Sequence, residues 1–378
     1  METRFGFVST FPPQLCGIAS FSASLMSAIN GYKDCNTSVI ALLEPNDSYS
    51  QFDAIPEVIG FLRQSDSYSL KLALKILNQN NIAVIQHEFG IFGGPDGDEV
   101  LKIAAGIRIP LITILHTVMS EPTPGQYRVL QRLCELSSIV VVMGKTAEVR
   151  IIGLYGVDPA KVRLIPHGAP QIPAAAHLSP EEHPLILTWG LIGPGKGLEW
   201  SISAMHRLKD MKPVPHYLIV GKTHPKVIER EGERYRESLE RLVADNGLEE
   251  IISFKPDYLA RTEIVDLISR ASVIVLPYDT TEQTTSGVLI EALAARKPVV
   301  STEFPHAVEL LSGGAGIIVG HNDPQAIADA ICMIIEDPEV ALRMAKKSQE
   351  FANELLWPAV AGSYISLAQS LLTTPVAV

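Results

Sequence analysis

The sequence predicts an α/β fold of two doubly wound parallel-sheet domains in tandem, on three observations. Short β-branched runs alternate with helix-period segments from end to end. The alternation forms two consecutive series, separated by a proline-rich stretch without periodicity. At 378 residues, the chain is long for one core and comfortable for two.

In the first series, strands are expected at 5–9, 38–43, 82–85, 111–115, 139–142 and 162–165. In the second they are expected at 185–188, 217–220, 251–254, 273–276, 299–301 and 317–319. Each run is too short and too rich in Val, Ile and Leu to read as an amphipathic helix, and helical spacing follows most of them. The stretch 169–184 holds four prolines and reads as a linker, which places a boundary near Pro173. The expected division is 1–172, 173–350 and a helical segment 351–378. Trp357-Pro358 should break that last segment, because proline cannot continue the preceding helix, and residues 359–372 can then cross back to the first domain. The charge-rich stretch 229–242 reads as a solvated helix face.

Composition excludes several functions. A net charge of −11 without a basic stripe argues against nucleic acid as a partner. No apolar run is long enough to span a bilayer, and Met1-Glu-Thr-Arg-Phe-Gly-Phe7 lacks the pattern of a signal peptide. Cys16, Cys35, Cys134 and Cys332 are far apart and suit isolated thiols in a reducing compartment, so a cytoplasmic location is expected. Lys and Arg are scarce in the first eighty residues, which weakens attachment to anionic lipid.

Two turns suit phosphate. In Gln283-Thr-Thr-Ser-Gly-Val-Leu-Ile-Glu291, a polar loop runs into a helix whose first amides and positive end could face an anion. Upstream, Leu185-Ile-Leu-Thr-Trp-Gly190-Leu-Ile-Gly-Pro-Gly-Lys196-Gly197 is an apolar run followed by a glycine-rich turn that carries a lysine. Two such turns suggest one diphosphate. Residues 190–196 also satisfy the first seven positions of a P-loop, but Gly197 stands where a Ser or Thr should hold magnesium.

The order of these elements resembles retaining glycosyltransferases of the two-domain GT-B fold, glycosyltransferase family 4, over essentially the whole chain. The resemblance is carried by Pro12-Pro-Gln-Leu-Cys-Gly17, His116-Thr117, Leu164-Ile-Pro-His-Gly168, Gly190 with Lys196-Gly197, Val220-Gly-Lys222, Val275-Leu-Pro277-Tyr278 and the helix through Glu291-Ala-Leu293. It implies two Rossmann-like domains facing a cleft and transfer of a hexose from a nucleotide diphosphate sugar by a front-face route that needs no protein nucleophile. It further implies that Lys196 holds the diphosphate, with Gly17, Gly190, Gly197, Thr285, Ser286, Gly287 and Val288 around the donor and Glu291 on its ribose. His116 would lie beside the reacting carbon.

Two residues depart from the family pattern. The usual Glu-x7-Glu reads Gln283-x7-Glu291, which replaces a carboxylate by an amide that can also donate, and Gln283 is expected to contact the transferred sugar. The arginine usual after the first glycine of the lysine loop is Leu191, which leaves Lys196 with one cation fewer beside it. Gln86-His87-Glu88-Phe89-Gly90 opens a sharply turned loop at the carboxyl end of a strand, where His87 and Glu88 could touch a sugar. His167 reads as structural. Asp96-Gly-Asp98 reads as a helix cap, so no metal and no cofactor is expected.

The resulting expectation is a glycosyltransferase with GDP-mannose favoured and UDP-glucose second, its base read around Lys255–Tyr258, acting on a soluble glycan or small polar acceptor. A homo-oligomer is left open. The alternatives are a glucosyltransferase, a nucleotide-sugar epimerase, or a non-catalytic nucleotide-sugar-binding protein.

Overall fold

The computed structural model describes residues 2–44, 47–173 and 183–373, which divide into two compact units, Met1–Gly168 with Trp357–Val378 and Ala169–Leu356. In unit 1, strands β1 (Thr3–Ser9), β2 (Cys35–Leu43), β3 (Val58–Arg63), β4 (Ile82–His87), β5 (Leu111–Leu115), β6 (Ile139–Val142) and β7 (Val162–Leu164) form one sheet. Its order is β3-β2-β1-β4-β5-β6-β7, and every pairing is parallel. Helices cover both faces, so alternate residues of β1 enter different cores: Phe5 and Phe7 pack on one side, Val8 on the other.

Strand β3 has no counterpart in the sequence expectation. It is an edge strand with one buried residue, Leu62, and a glycine at its centre, so it lacks the continuous apolar run that marks the inner strands.

Unit 2 repeats the architecture with β8 (Leu185–Trp189), β9 (His216–Val220), β10 (Ile252–Lys255), β11 (Val273–Leu276), β12 (Val299–Thr302) and β13 (Ile317–Val319). Its order is β10-β9-β8-β11-β12-β13, again all parallel. Strand order reverses between β1 and β4 in unit 1 and between β8 and β11 in unit 2. In open parallel sheets, ligands bind beyond the carboxyl ends of such a pair, because the two crossovers leave in opposite directions and open a crevice.

The boundaries differ from expectation. Ala169 donates its N–H to Leu355 O at 2.7 Å and bridges to Leu356, while Ile172 is buried in the core of unit 2, so the division falls after Gly168 rather than at Pro173. Most of the expected linker, 174–182, lies outside the described residues. Phe351 and Leu355 stay with unit 2 for the same reason, and the return to unit 1 begins at Trp357 rather than 351. There Pro358 occupies the first turn of the helix Trp357–Thr373, where its missing N–H costs nothing. This helix packs on Gly17–Asn30: Trp357, Val360, Tyr364 and Ile365 share a core with Phe21, Leu25 and Ile29.

Residues 229–242 are not one solvated helix. Gly232 (φ 65°) separates Pro225–Glu231 from Arg234–Asp245, and Arg236 is buried, donating to Gly221 O at 2.5 Å and Thr223 Oγ1 at 3.3 Å.

Candidate functional site

In unit 2 the turn after β8 is fastened to both neighbouring strands. Gly190 and Ile192 donate backbone N–H groups to Val220 O and Lys222 O at 3.0 and 2.8 Å, and Asp279 donates its own to Gly195 O at 3.0 Å. Gly197 has φ 61°, and a Cβ there would lie 1.8 Å from Pro277 O, so only glycine lets this turn close against the one after β11. The turn thereby carries Lys196 over the Tyr278 ring, with Nζ 4.2 Å from its centroid. No carboxylate pairs with Lys196 among the described residues, and desolvation pulls its ammonium down to about 8.

The segment after β11 meets this turn. A Cβ on Gly190 would stand 3.9 Å from Val288 Cγ2, which brings the start of the helix Gly287–Ala294 beside the lysine loop. Ser286 caps that helix, its Oγ accepting from Leu289 N at 3.3 Å. Its own N–H donates to Nδ1 of the buried His306 at 3.0 Å, so of the loop amides expected at phosphate, that of Ser286 is already engaged. Among the described residues, the amides of Gly287 and Val288 in the first turn have no hydrogen-bond partner, and neither has the buried Thr285 Oγ1. Gln283 donates Nε2 to Thr285 O at 3.0 Å, which bends the loop and leaves Oε1 as its acceptor.

Glu291 is buried, with Oε1 2.8 Å from Arg261 Nη1 and Oε2 accepting from Trp189 Nε1 at 3.3 Å. Burial raises its pKa, and Arg261 and Trp189 oppose that rise by favouring the charged form. Gly190, Lys196, Gly197, Ser286, Val288 and Glu291 thus come together at the β8/β11 switch point. The parts that His306, Tyr278, Trp189 and Arg261 play in holding the loop, lysine and carboxylate escaped sequence reasoning, because contacts between distant segments leave no local spacing to read.

A second group gathers at the β1/β4 switch point of unit 1. His116 donates its backbone N–H to His87 O at 3.0 Å, and its Nε2 lies 2.8 Å from Gln86 Oε1. Burial, with lesser contributions from His167 and His87, holds the His116 pKa at about 3, so the ring is neutral. Phe21 meets it edge-on at 5.0 Å, and Gly17 begins the same helix with open space where a Cβ would stand. Glu88 accepts from Phe89 N at 2.9 Å and from the Thr117 hydroxyl, which fixes the loop, with Phe89 part-buried and Gly90 exposed.

His87 does not fit the sugar-contacting role expected of it. Its ring is fully buried between Phe89 and Phe92, at centroid distances of 4.9 and 6.2 Å, and desolvation alone takes its pKa to about 3. His167 bonds Gly168 O at 2.7 Å and packs on Phe21 and Trp357. Asp98 sits at the N-cap of Glu99–Gly106 without a side-chain cap bond, and Asp96 instead accepts from Thr123 Oγ1 at 3.4 Å. Among the described residues no group of three or more His, Cys, Asp or Glu could hold a metal ion, and no helix is long and apolar enough to cross a membrane.

Residues 173–351 match the family model described as glycosyl transferases group 1. The D-inositol 3-phosphate glycosyltransferase of Corynebacterium glutamicum (strain R) is 26% identical over 288 residues, 69% of this chain and 66% of that protein. The alpha-D-kanosaminyltransferase of Streptomyces kanamyceticus is 27% identical over 169 residues, 44% of this chain and 40% of that protein. The matches therefore span about two thirds or less of these relatives' lengths. Among solved structures, Anabaena HepE in complex with UDP superposes with a TM-score of 0.75 at 16% identity, covering 97% of this chain and 100% of that one. Sucrose-phosphate synthase from Thermosynechococcus elongatus gives 0.73 at 20%, covering 98% and 99%. The chain has the GT-B fold of two Rossmann-like parallel-sheet units, and its segment 173–351 carries the match to glycosyl transferases group 1.

Proposed function

We propose that this chain is a retaining hexosyltransferase that takes a nucleotide diphosphate sugar as donor and a soluble glycan or small polar molecule as acceptor. The observation that carries the reading is the convergence, within the segment matching glycosyl transferases group 1, of Lys196, the first-turn amides of Gly287 and Val288, and buried Glu291. The nucleoside diphosphate gains negative charge as the bond to the sugar breaks. A desolvated ammonium and fixed amides aimed at that charge lower the barrier, because they need no reorganisation when it develops. Glu291, held in place by Arg261 and Trp189, accepts from the ribose hydroxyls. Gln283 contacts the transferred sugar, and the donor phosphate receives the acceptor's proton. The unit 1 loop at Glu88–Gly90 serves the acceptor.

Two donors are compared: GDP-mannose, which the sequence reading favours, and UDP-glucose, which a solved Anabaena neighbour holds. A thermal-shift panel of GDP, UDP, ADP and their sugars is expected to raise the melting temperature selectively for one base, since a ligand binding only the folded state stabilises it by mass action. Glycan-acceptor assays with that donor should then yield a product of retained anomeric configuration. Binding without product at any acceptor would leave a nucleotide-sugar-binding protein, and no selective shift would remove the reading.

A further inference from the structure

Beside Lys196 an open pocket of about 450 Å³ is lined by Leu191, Lys196, His224, Lys226, Glu229 and Arg230, among others. Three of these side chains are cationic and one is anionic, in a chain whose net charge is −11, so the local excess runs against the whole molecule. Arg230 makes no ion pair among the described residues; its Nε donates to Lys226 O at 3.1 Å, one turn back on the helix Pro225–Glu231. Lys196 and Arg230 therefore both face the pocket with no carboxylate paired to either. Burial depresses the pKa of His224, which lines the same pocket, and the fields of Lys226, Lys196 and Arg230 add to that while Glu229 opposes it.

Leu191 is where the resemblance leads one to expect an arginine, and its side chain lines this same pocket. We propose that Lys226 and Arg230 complete the diphosphate subsite with Lys196, supplying from the helix Pro225–Glu231 the positive charge that Leu191 does not. The inference rests on the donor reading above and adds which residues neutralise the second phosphate. Two cations on a neighbouring helix serve the purpose because the attraction depends on charge and distance rather than on which segment carries it.

The test is isothermal titration of the full-length protein with GDP, UDP, GMP and UMP. For the base the protein prefers, Lys226→Ala/Arg230→Ala should weaken the diphosphate about tenfold or more and the monophosphate by less than about threefold. Adding Leu191→Arg to that double variant should recover most of the loss, a gain that a merely structural defect would not show. Lys209→Ala, an exposed lysine outside the pocket, should bind as the parent does. Parental affinity in the double variant, equal losses for di- and monophosphate, or no recovery with Leu191→Arg would each overturn the proposal while leaving the donor reading intact. A parent that binds none of the four, nor ADP, would instead remove the donor reading, and this subsite with it.

Discussion

Lys196 holds its ammonium 4.2 Å from the Tyr278 ring centroid with no carboxylate paired to it among the described residues, so the free protein tolerates a cation that desolvation discourages. A bound diphosphate reverses that balance, since an anion at contact favours the charged form. The free-state pKa of about 8 then rises on binding, and a proton is taken up wherever the pH lies above about 8. Affinity for nucleoside diphosphate should therefore be flat below pH 7.5 and fall between pH 8 and 9 by up to about tenfold per unit. Lys196→Arg should abolish the slope, because guanidinium stays charged throughout. Titrations across that range, in buffers of different ionisation enthalpy, measure both effects, and an unchanged slope in Lys196→Arg would assign it elsewhere. Lys196 was legible in sequence because its position depends on a local glycine-rich turn. His87 was not: whether a histidine at a strand end meets solvent is decided by Phe89 and Phe92 closing over it, and no spacing records that.

Turns and strands were legible in proportion to how local their causes are. Most inner strands lie within about a residue of their expected positions, because burial on both faces demands continuous apolar runs. Edge strand β3 and the break at Gly232 depend on neighbours and on one φ angle, so they left little trace. The same dependence makes the lysine loop testable. At Gly197 an added Cβ meets both a left-handed backbone (φ 61°) and Pro277 O at 1.8 Å, whereas at Gly195 (φ 85°) nothing stands within 4 Å. Gly197→Ala should cost at least about 2 kcal/mol in urea unfolding and loosen nucleotide binding, and Gly195→Ala should cost only the backbone term of roughly 1 kcal/mol. Equal costs would mean that the two turns are not locked together as described.

At the scale of the whole molecule, the two units are built differently from the chain. Unit 2 is one continuous stretch, Ala169–Leu356, whereas unit 1 needs the distant segment beginning at Trp357. That segment contributes Trp357, Val360, Tyr364, Ile365 and Leu367 to the core over β1 and the helix Gly17–Asn30. At roughly 1.5–3 kcal/mol for each large side chain buried, their loss removes on the order of 10 kcal/mol as an upper estimate, comparable to the entire stability of an ordinary domain. A chain ending at Leu356 should therefore lose the folding transition of unit 1 and bind a hydrophobic dye, while residues 169–356 expressed alone should still melt cooperatively. If nucleotide recognition resides where Lys196 and Glu291 converge, the isolated segment should also keep a thermal shift with the preferred nucleoside diphosphate. Calorimetry of the two shortened proteins separates these outcomes. A cooperative unit 1 transition without the last helix would show that the segment is an accessory to that core, and a non-cooperative 169–356 would show that unit 2 draws its stability from beyond its own boundaries.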